Sequence, residues 1–232
     1  MKERKFDEFD QFADNYRNIH NNTLKLSGAE SDYFSLHKIE IIKFENNSKP
    51  IKFLDFGCGD GNSSNHFNKL MPQSNYYGID VSEKSIEVAN ARKSESNSFT
   101  HFNGYIIPFE NDFFDVIFAA NVFHHIHFDL HENLFKEIHR VLKKGGKFYL
   151  FEHNPWNPIT RHIVNTCPFD EDAVLLNPIY SKKTFKKLNF KSVNINFILF
   201  FPRTKFFKPF LSTEKKLKKI PLGGQYYALS VK

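Results

Sequence analysis

The chain has 232 residues, of which 41% are hydrophobic and 25% are charged, and its formal net charge is +6 at pH 7. This apolar content is sufficient for a sizeable buried core and excludes a disordered or collagen-like chain. Residues 181–232 contain 13 Lys and Arg side chains and one acid, Glu214, whereas residues 1–180 contain 19 basic and 25 acidic side chains. The basic character is thus local to the C-terminal quarter, which argues against a basic coat for nucleic acid over the whole surface.

Cysteine content and apolar runs bear on the compartment. Two cysteines, Cys58 and Cys167, are too few for a disulfide framework or a Cys-rich zinc site. The charged stretch 1–8 lacks the apolar segment of a secretory signal. The densest apolar run, Phe197–Phe201, is much shorter than the roughly 20 residues that a membrane span needs. We therefore expect a cytoplasmic protein.

The order of predicted elements indicates one α/β domain. Residues 6–45 carry apolar side chains at helical spacing and predict a helical cap. From Ile51 onward, short apolar runs alternate with amphipathic stretches, which is typical of a doubly wound, mostly parallel sheet. The predicted strands are Ile51–Phe56, Tyr76–Ile79, Ser98–Phe102, Val116–Ala120, Lys147–Phe151, Ser192–Phe200 and Gln225–Val231. The predicted helices are 62–71, Glu83–Lys93, Asp129–Leu142 and Ser181–Leu188.

A glycine loop directly after the first predicted strand is the strongest motif. Gly57, Gly59 and Gly61 follow Asp55 in the order D-x-G-x-G-x-G. Glycines at a strand-to-helix turn let the backbone approach a ligand closely, where amide groups and the helix dipole meet its polar atoms. A dinucleotide fingerprint, G-x-G-x-x-G/A, requires a small residue where Asn62 stands. The spacing therefore favours another cofactor.

The loop and four later markers together resemble the class I S-adenosylmethionine-dependent methyltransferases. The later markers are Asp80-Val81, Asn103-Gly104 before a Pro-Phe pair, residues 114–126, and residues 142–148. The resemblance implies a Rossmann-like seven-stranded sheet whose last strand, Gln225–Val231, runs antiparallel between its two predecessors. It divides the domain into a cap (1–50), a cofactor-binding core (51–151), an insertion (152–180) and a basic part completing the sheet (181–232). A Rossmann-like domain that binds another nucleotide is the alternative.

The resemblance also implies a cofactor site for S-adenosylmethionine. In that family the loop wraps the methionine part, and the acid at Asp55 orients the loop and the cofactor's amino group. Asp80 is expected to accept the ribose hydroxyls while Val81 packs on adenine. Asn103 departs from the family's usual acid, but its amide can hydrogen-bond the adenine edge. The cofactor-binding residues so implied are Asp55, Gly57, Cys58, Gly59, Gly61, Asp80, Val81, Asn103, Gly104 and Ala120.

Histidines after the fourth and fifth predicted strands are the candidates for catalysis. Ligands of doubly wound sheets bind at the carboxyl ends of the strands, and a hydroxyl acceptor needs a base. That position selects His124, His125, His127 and His153, together with Glu152. Histidine suits a base near neutral pH, and we predict His153 or His125. Because no thiol joins the histidines, we expect no metal site.

The flanks of the core are similar to small-molecule methyltransferases of sugar, lipid and secondary-metabolite pathways. Aromatic residues predicted to line an acceptor pocket, with core packing as the alternative, are Tyr16, Tyr33, Phe123 and Trp156. Arg161 is predicted to bind an acceptor carboxylate or phosphate, with a solvated surface charge as the alternative. We therefore expect methyl transfer to a small-molecule, sugar-linked or lipid-linked acceptor, at oxygen. A catalytically idle cofactor-binding interaction module is the alternative function.

Two further segments bear on partners. Asn154-Pro155-Trp156 is similar to the Asn-Pro-Pro-Tyr box of amino-methyltransferases, but it follows the fifth strand rather than the fourth. A nucleic-acid substrate is therefore not expected. Residues 200–210 interleave aromatics with cations, and further lysines follow at 215–219. This pattern predicts peripheral contact with an anionic membrane, or else aromatic packing over the sheet with solvated lysines.

Overall fold

Seven strands form one sheet in the computed structural model, which describes residues 31–46, 49–170, 172–202 and 204–232. The strands are β1 (Lys52–Phe56), β2 (Asn75–Asp80), β3 (Asn97–His101), β4 (Phe114–Ala120), β5 (Leu142–His153), β6 (Lys191–Ile198) and β7 (Gln225–Val231). Their order is β3-β2-β1-β4-β5-β7-β6. Strands β1 to β5 are parallel, and β7 pairs antiparallel with both β5 and β6. The predicted doubly wound sheet, with the last strand inserted, is confirmed.

Helices flank the sheet. They are α1 (Ser31–Glu45), α2 (Asn62–Leu70), α3 (Glu83–Ala91), α4 (Phe128–Val141), α5 (Pro158–Asn165), α6 (Pro178–Lys187) and α7 (Glu214–Leu217). Short 3₁₀ turns span Phe123–His125, Pro168–Asp170 and Lys205–Thr213. None of the helices in the described ranges is long and apolar enough to cross a membrane.

The two faces of the sheet follow from the alternation of side chains along β1. Phe53 points to a core that includes Ile39 of α1 and Phe67 of α2. Leu54 points to the opposite core, with Phe135 of α4. Successive side chains of a strand face opposite sides, so continuous apolar runs are required where both faces are covered. This explains why the central strands read as uninterrupted apolar segments.

The Asn-Pro dipeptides that follow β5 and precede α6 either begin a helix or fasten a loop by hydrogen bonds. Asn157 caps α5 by accepting a hydrogen bond from Thr160 N at 3.0 Å, and Pro158 occupies the first turn. The Asn154 amide donates to the carbonyl oxygens of Gly223 at 2.7 Å and Pro221 at 3.1 Å. Asn154 thus fastens the segment before β7.

The start of the fifth strand differs most from its prediction. Strand β5 begins at Leu142 rather than Lys147, because Leu142 pairs with Phe114 before a register shift. The turn at Gly145 is fastened by a hydrogen bond from Gly145 N to Lys232 O at 3.1 Å. Of the predicted cap, α1 is described, whereas Tyr16 lies outside the described residues. The division into four parts stays a prediction.

Candidate active site

The glycine loop connects β1 to α2 at the carboxyl edge of the sheet. The amides of Gly57 and Cys58 both donate to Ile79 O of the neighbouring β2, at 2.8 and 3.0 Å. A Cβ on Gly57 would lie 2.4 Å from Val122 Cγ2, so packing itself requires this glycine. At Gly59, with φ +52, none of the described residues has an atom within 4 Å of such a Cβ. Among the described residues, Gly59 therefore borders open space.

Asp80, at the end of β2, holds the loop in place. One carboxylate oxygen accepts a hydrogen bond from Gly59 N at 2.8 Å, and the other accepts one from Ser82 N at 3.0 Å. A carboxylate beside an open glycine cradle suits a ligand that presents hydroxyl groups. These residues fit the ribose and methionine portions of S-adenosylmethionine.

Asp55 lies beneath the loop and faces α1 rather than open space. Its carboxylate is 2% exposed and accepts a hydrogen bond from the Tyr76 hydroxyl. Burial raises the pKa of Asp55 to about 7, with the Tyr76 hydrogen bond opposing and the charge of Asp80 adding to the shift. Burial likewise lowers the pKa of Lys38 on α1 to about 8, against the charges of Glu152 and Asp55. Asp55, at the start of the loop, and Lys38 are thus both buried, and burial disfavours the charged form of each.

We expect Asp55→Asn to stabilise the protein above pH 7. The folded pKa of Asp55, about 7, lies above its unfolded value, so the free energy of unfolding falls as pH rises from the unfolded pKa, and the full cost is present above the folded pKa. The amide removes that cost and still accepts the Tyr76 hydrogen bond. The free energy of unfolding at pH 8, measured by denaturant titration, should rise by about 1–3 kcal/mol and converge with wild type near pH 4. Asp129→Asn, at an exposed carboxylate, is the control. A destabilised Asp55→Asn at pH 8 would contradict the argument.

The other predicted cofactor residues surround the loop and the ends of β2, β3 and β4. Cys58 is buried, and burial raises the pKa of its thiol. Val81 and Ala120 are half-buried at the ends of β2 and β4. The Asn103 side-chain oxygen accepts hydrogen bonds from Tyr105 N and Ile106 N, both at 3.0 Å. It closes a turn, and its action on adenine stays a prediction. The remaining members are Gly61 and Gly104, at φ +75 and +80.

A cluster of histidines and carboxylates stands at the ends of β4 and β5. The His124 Nδ1 atom lies 2.6 Å from Glu152 Oε2, and Glu152 Oε1 accepts a hydrogen bond from Phe123 N at 2.9 Å. The Nε2 atoms of His124 and His125 each lie 3.4 Å from Asp170 Oδ1. The His153 ring centroid is 5.2 Å from that of His124. The structure brings four of the residues selected from the sequence together and adds Asp170.

The charges in this cluster are strongly coupled. Burial lowers the pKa of His124, but the charge of Glu152 and hydrogen bonds to Asp170 and Glu152 outweigh it and raise the pKa to about 9. Burial and the neighbouring His124 lower the pKa of His125 to about 3. For Asp170 the effect of burial is outweighed by the three histidines, which lower its pKa to about 2. His127 takes no part, because its exposed ring pairs with Asp129 at 3.2 Å.

The predicted acceptor residues separate into different environments. Phe123 is fully buried and stacks on Phe56 and Phe135, so it belongs to the core and the pocket interpretation is wrong for it. Tyr33 is half-buried and stacks on His37 at 5.8 Å. Trp156 is 43% exposed, with its ring 5.9 Å from Phe197, and Arg161 is exposed on α5. Acceptor roles for the last three stay predictions.

Comparison with known proteins agrees with this geometry. Residues 54–150 match the model of a methyltransferase domain family. An uncharacterized methyltransferase of Bacillus subtilis, YcgJ, is 29% identical over 49% of this chain and 46% of its own length. A sterol 24-C-methyltransferase of Debaryomyces hansenii is 30% identical over 53% of this chain and 32% of its own. The chain thus spans about half or less of the length of these relatives.

A solved structure extends the likeness over nearly the whole chain. Phosphoethanolamine N-methyltransferase 2 of Haemonchus contortus, in complex with S-adenosylmethionine, matches with a TM-score of 0.64 over 97% of this chain and 60% of that one, at 19% identity. The match of residues 54–150 and the inserted antiparallel strand thus show that this chain contains a methyltransferase domain and has the fold of the S-adenosylmethionine-dependent methyltransferases. S-adenosylmethionine is the cofactor of this domain.

Proposed function

We propose that this methyltransferase methylates a hydroxyl group of a small-molecule, sugar-linked or lipid-linked metabolite. The observation that carries the proposal is His153 at the carboxyl end of β5, two strands from the glycine loop. Its neighbour His124 is held by Glu152 and Asp170. A hydroxyl becomes a competent nucleophile as a base removes its proton, and His153 stands where acceptors of such sheets bind.

The role of each residue follows from the chemistry of methyl transfer. The bound cofactor supplies a methyl group on a sulfonium, a leaving group that needs no protonation. The loop at Gly59 and the Asp80 carboxylate orient it. His153 accepts the acceptor's proton from its place at the carboxyl end of β5. The protein contributes positioning and one proton transfer.

Labelled methyl transfer tests this proposal directly. The purified chain is incubated with methyl-labelled S-adenosylmethionine and with polar and lipid fractions of a metabolite extract. Label in a product with an O-methyl linkage is the expected result. Label on nitrogen or carbon would contradict the choice of oxygen. Tight cofactor binding without turnover in any fraction would favour an idle cofactor-binding module.

A lipid-linked acceptor is supported by the C-terminal surface. Phe206 is 76% exposed and Phe210 is 48% exposed. Phe44 of α1 is also exposed, and its ring centroid lies 5.3 Å from Lys215 Nζ. The single acid, Glu214, is buried and accepts hydrogen bonds from the amides of residues 200 and 201. Lys208, Lys215, Lys216 and Lys218 are exposed. Exposed aromatics with unopposed cations suit an anionic membrane interface.

Vesicle binding should therefore depend on headgroup charge. We expect the chain to co-sediment with phosphatidylserine-containing vesicles more than with phosphatidylcholine vesicles, and to dissociate as salt shortens the Debye length below about 10 Å. Phe206→Ser should weaken the binding, whereas Ile179→Ser, at an apolar residue exposed elsewhere, should not. Equal sedimentation with both vesicle types would contradict membrane contact and favour a freely diffusing acceptor.

A further inference from the structure

Three side chains near the end of β4 are arranged as a set of metal ligands. His124, His125 and Asp170 each offer one ligand atom, and these atoms all lie within 4.8 Å of one another. Each imidazole Nε2 is 3.4 Å from the same oxygen of Asp170. Two ligand atoms bound to a tetrahedral zinc ion, each about 2.0–2.1 Å from it, lie about 3.3 Å apart. The two separations from Asp170 Oδ1 match edges of such a tetrahedron, and the third lies within 4.8 Å.

A second observation supports a ligand role for His124. Its Nδ1 atom is 2.6 Å from Glu152 Oε2, and the Glu152 side chain is fully buried. The other Glu152 oxygen is held by the amide of Phe123. Metal-bound histidines are commonly oriented in this way, by a carboxylate on the nitrogen that does not bind the metal. Nε2 of His124 is thereby directed toward Asp170.

We propose that His124, His125 and Asp170 bind a divalent transition-metal ion of the zinc class. Two imidazoles and one carboxylate are the donors of three-ligand zinc sites, which keep a fourth, exchangeable position for a water or hydroxyl oxygen. Hard cations such as Mg²⁺ prefer oxygen ligands and fit this set less well. From the sequence alone no metal site was expected, because no thiol joins the histidines. In the structure the Asp170 carboxylate completes the ligand set instead, and His127 is exposed.

The position of the cluster suggests what the ion does. His153, the proposed base, lies beside His124. An acceptor hydroxyl at the fourth position would lose its proton more readily, because a divalent cation stabilises the alkoxide. This use of the ion rests on the proposed function, whereas binding of the ion does not.

Cobalt substitution tests the site without acceptor or cofactor. The full chain is freed of metal with a chelator and titrated with Co²⁺, whose visible absorption reports tetrahedral coordination, and then with Zn²⁺ in competition. We expect one equivalent to bind with a tetrahedral spectrum that Zn²⁺ abolishes. Because no methyl transfer is measured, failure of the proposed function leaves this result unaffected, and the reverse also holds.

Variants separate ligands from neighbours. His125→Ala and Asp170→Asn should abolish the tetrahedral spectrum, and Glu152→Gln should weaken zinc binding about 10–100-fold. His127→Ala should bind as wild type does. Circular dichroism and S-adenosylmethionine binding confirm that each variant is folded. The proposal is overturned if wild type takes up no metal, or if folded His125→Ala and Asp170→Asn retain the wild-type spectrum.

Discussion

With a hydroxyl acceptor, we expect His153→Ala to lower the rate of methyl transfer about 10²–10⁴-fold, the range for loss of a general base, and to leave S-adenosylmethionine affinity nearly unchanged. The reason is the position of His153 relative to the cofactor loop. His153 ends β5 beside the His124 ring, whereas the cofactor loop belongs to β1, with β4 between the two strands. The measurements are kcat with the acceptor found in the extract assay, and the Kd of S-adenosylmethionine by calorimetry.

Controls for this prediction distinguish chemistry from folding. His162→Ala removes an exposed imidazole on α5 and should leave both quantities as in wild type. A His153→Ala variant with normal kcat would transfer the role to His125, or would show that positioning alone suffices. If kcat and cofactor affinity both fell, His153 would instead contribute to the structure of the cofactor site.

The doubly wound, mostly parallel class of the sheet was predictable because its evidence is local and repeated. Continuous apolar runs, such as Val116–Ala120, alternate with amphipathic helices, and this pattern permits few topologies. The inserted position of β7 came from the family resemblance, since no periodicity within Gln225–Val231 encodes its neighbours. The early start of β5 was missed because Gly145 and Gly146 are typical of a turn, whereas Leu142 pairs across the sheet with Phe114.

The candidate site was only partly predictable. A single sequence does not show which side chains are buried, nor which residues distant in sequence the fold brings together. Phe123 directly precedes two candidate histidines in the sequence, yet its ring is fully buried in the core. Asp170 lies in the predicted insertion, and no spacing connects it to His124, although the fold brings it within 3.4 Å. Asp55 was identified by its place in the motif, but its contact with Tyr76 depends on the pairing of β1 with β2.

Cofactor binding should depend most on Asp80 and on the absence of a side chain at Gly59. Asp80→Ala removes the anchor of the Gly59 amide and the two charge-assisted hydrogen bonds that we predict to the ribose. This loss is worth about 2–4 kcal/mol, or roughly 30-fold to 1,000-fold in Kd. Gly59→Val should be worse, because φ at Gly59 is +52 and a branched side chain would enter the space beside Asp80. Calorimetric titration with S-adenosylmethionine measures both.

Matched variants make the cofactor prediction specific. Gly145 also has a positive φ, +77, and open space around its Cβ position, but it lies in the turn tied to Lys232. Gly145→Val therefore imposes comparable backbone strain away from the loop and should leave the Kd unchanged even if it lowers Tm. Asp112→Ala is the matched control for Asp80→Ala: it removes an exposed carboxylate paired with Lys232 and should leave the Kd unchanged. An unchanged Kd in Asp80→Ala would remove Asp80 from the site, and equal losses in Gly59→Val and Gly145→Val would attribute the effect to strain rather than to the cofactor.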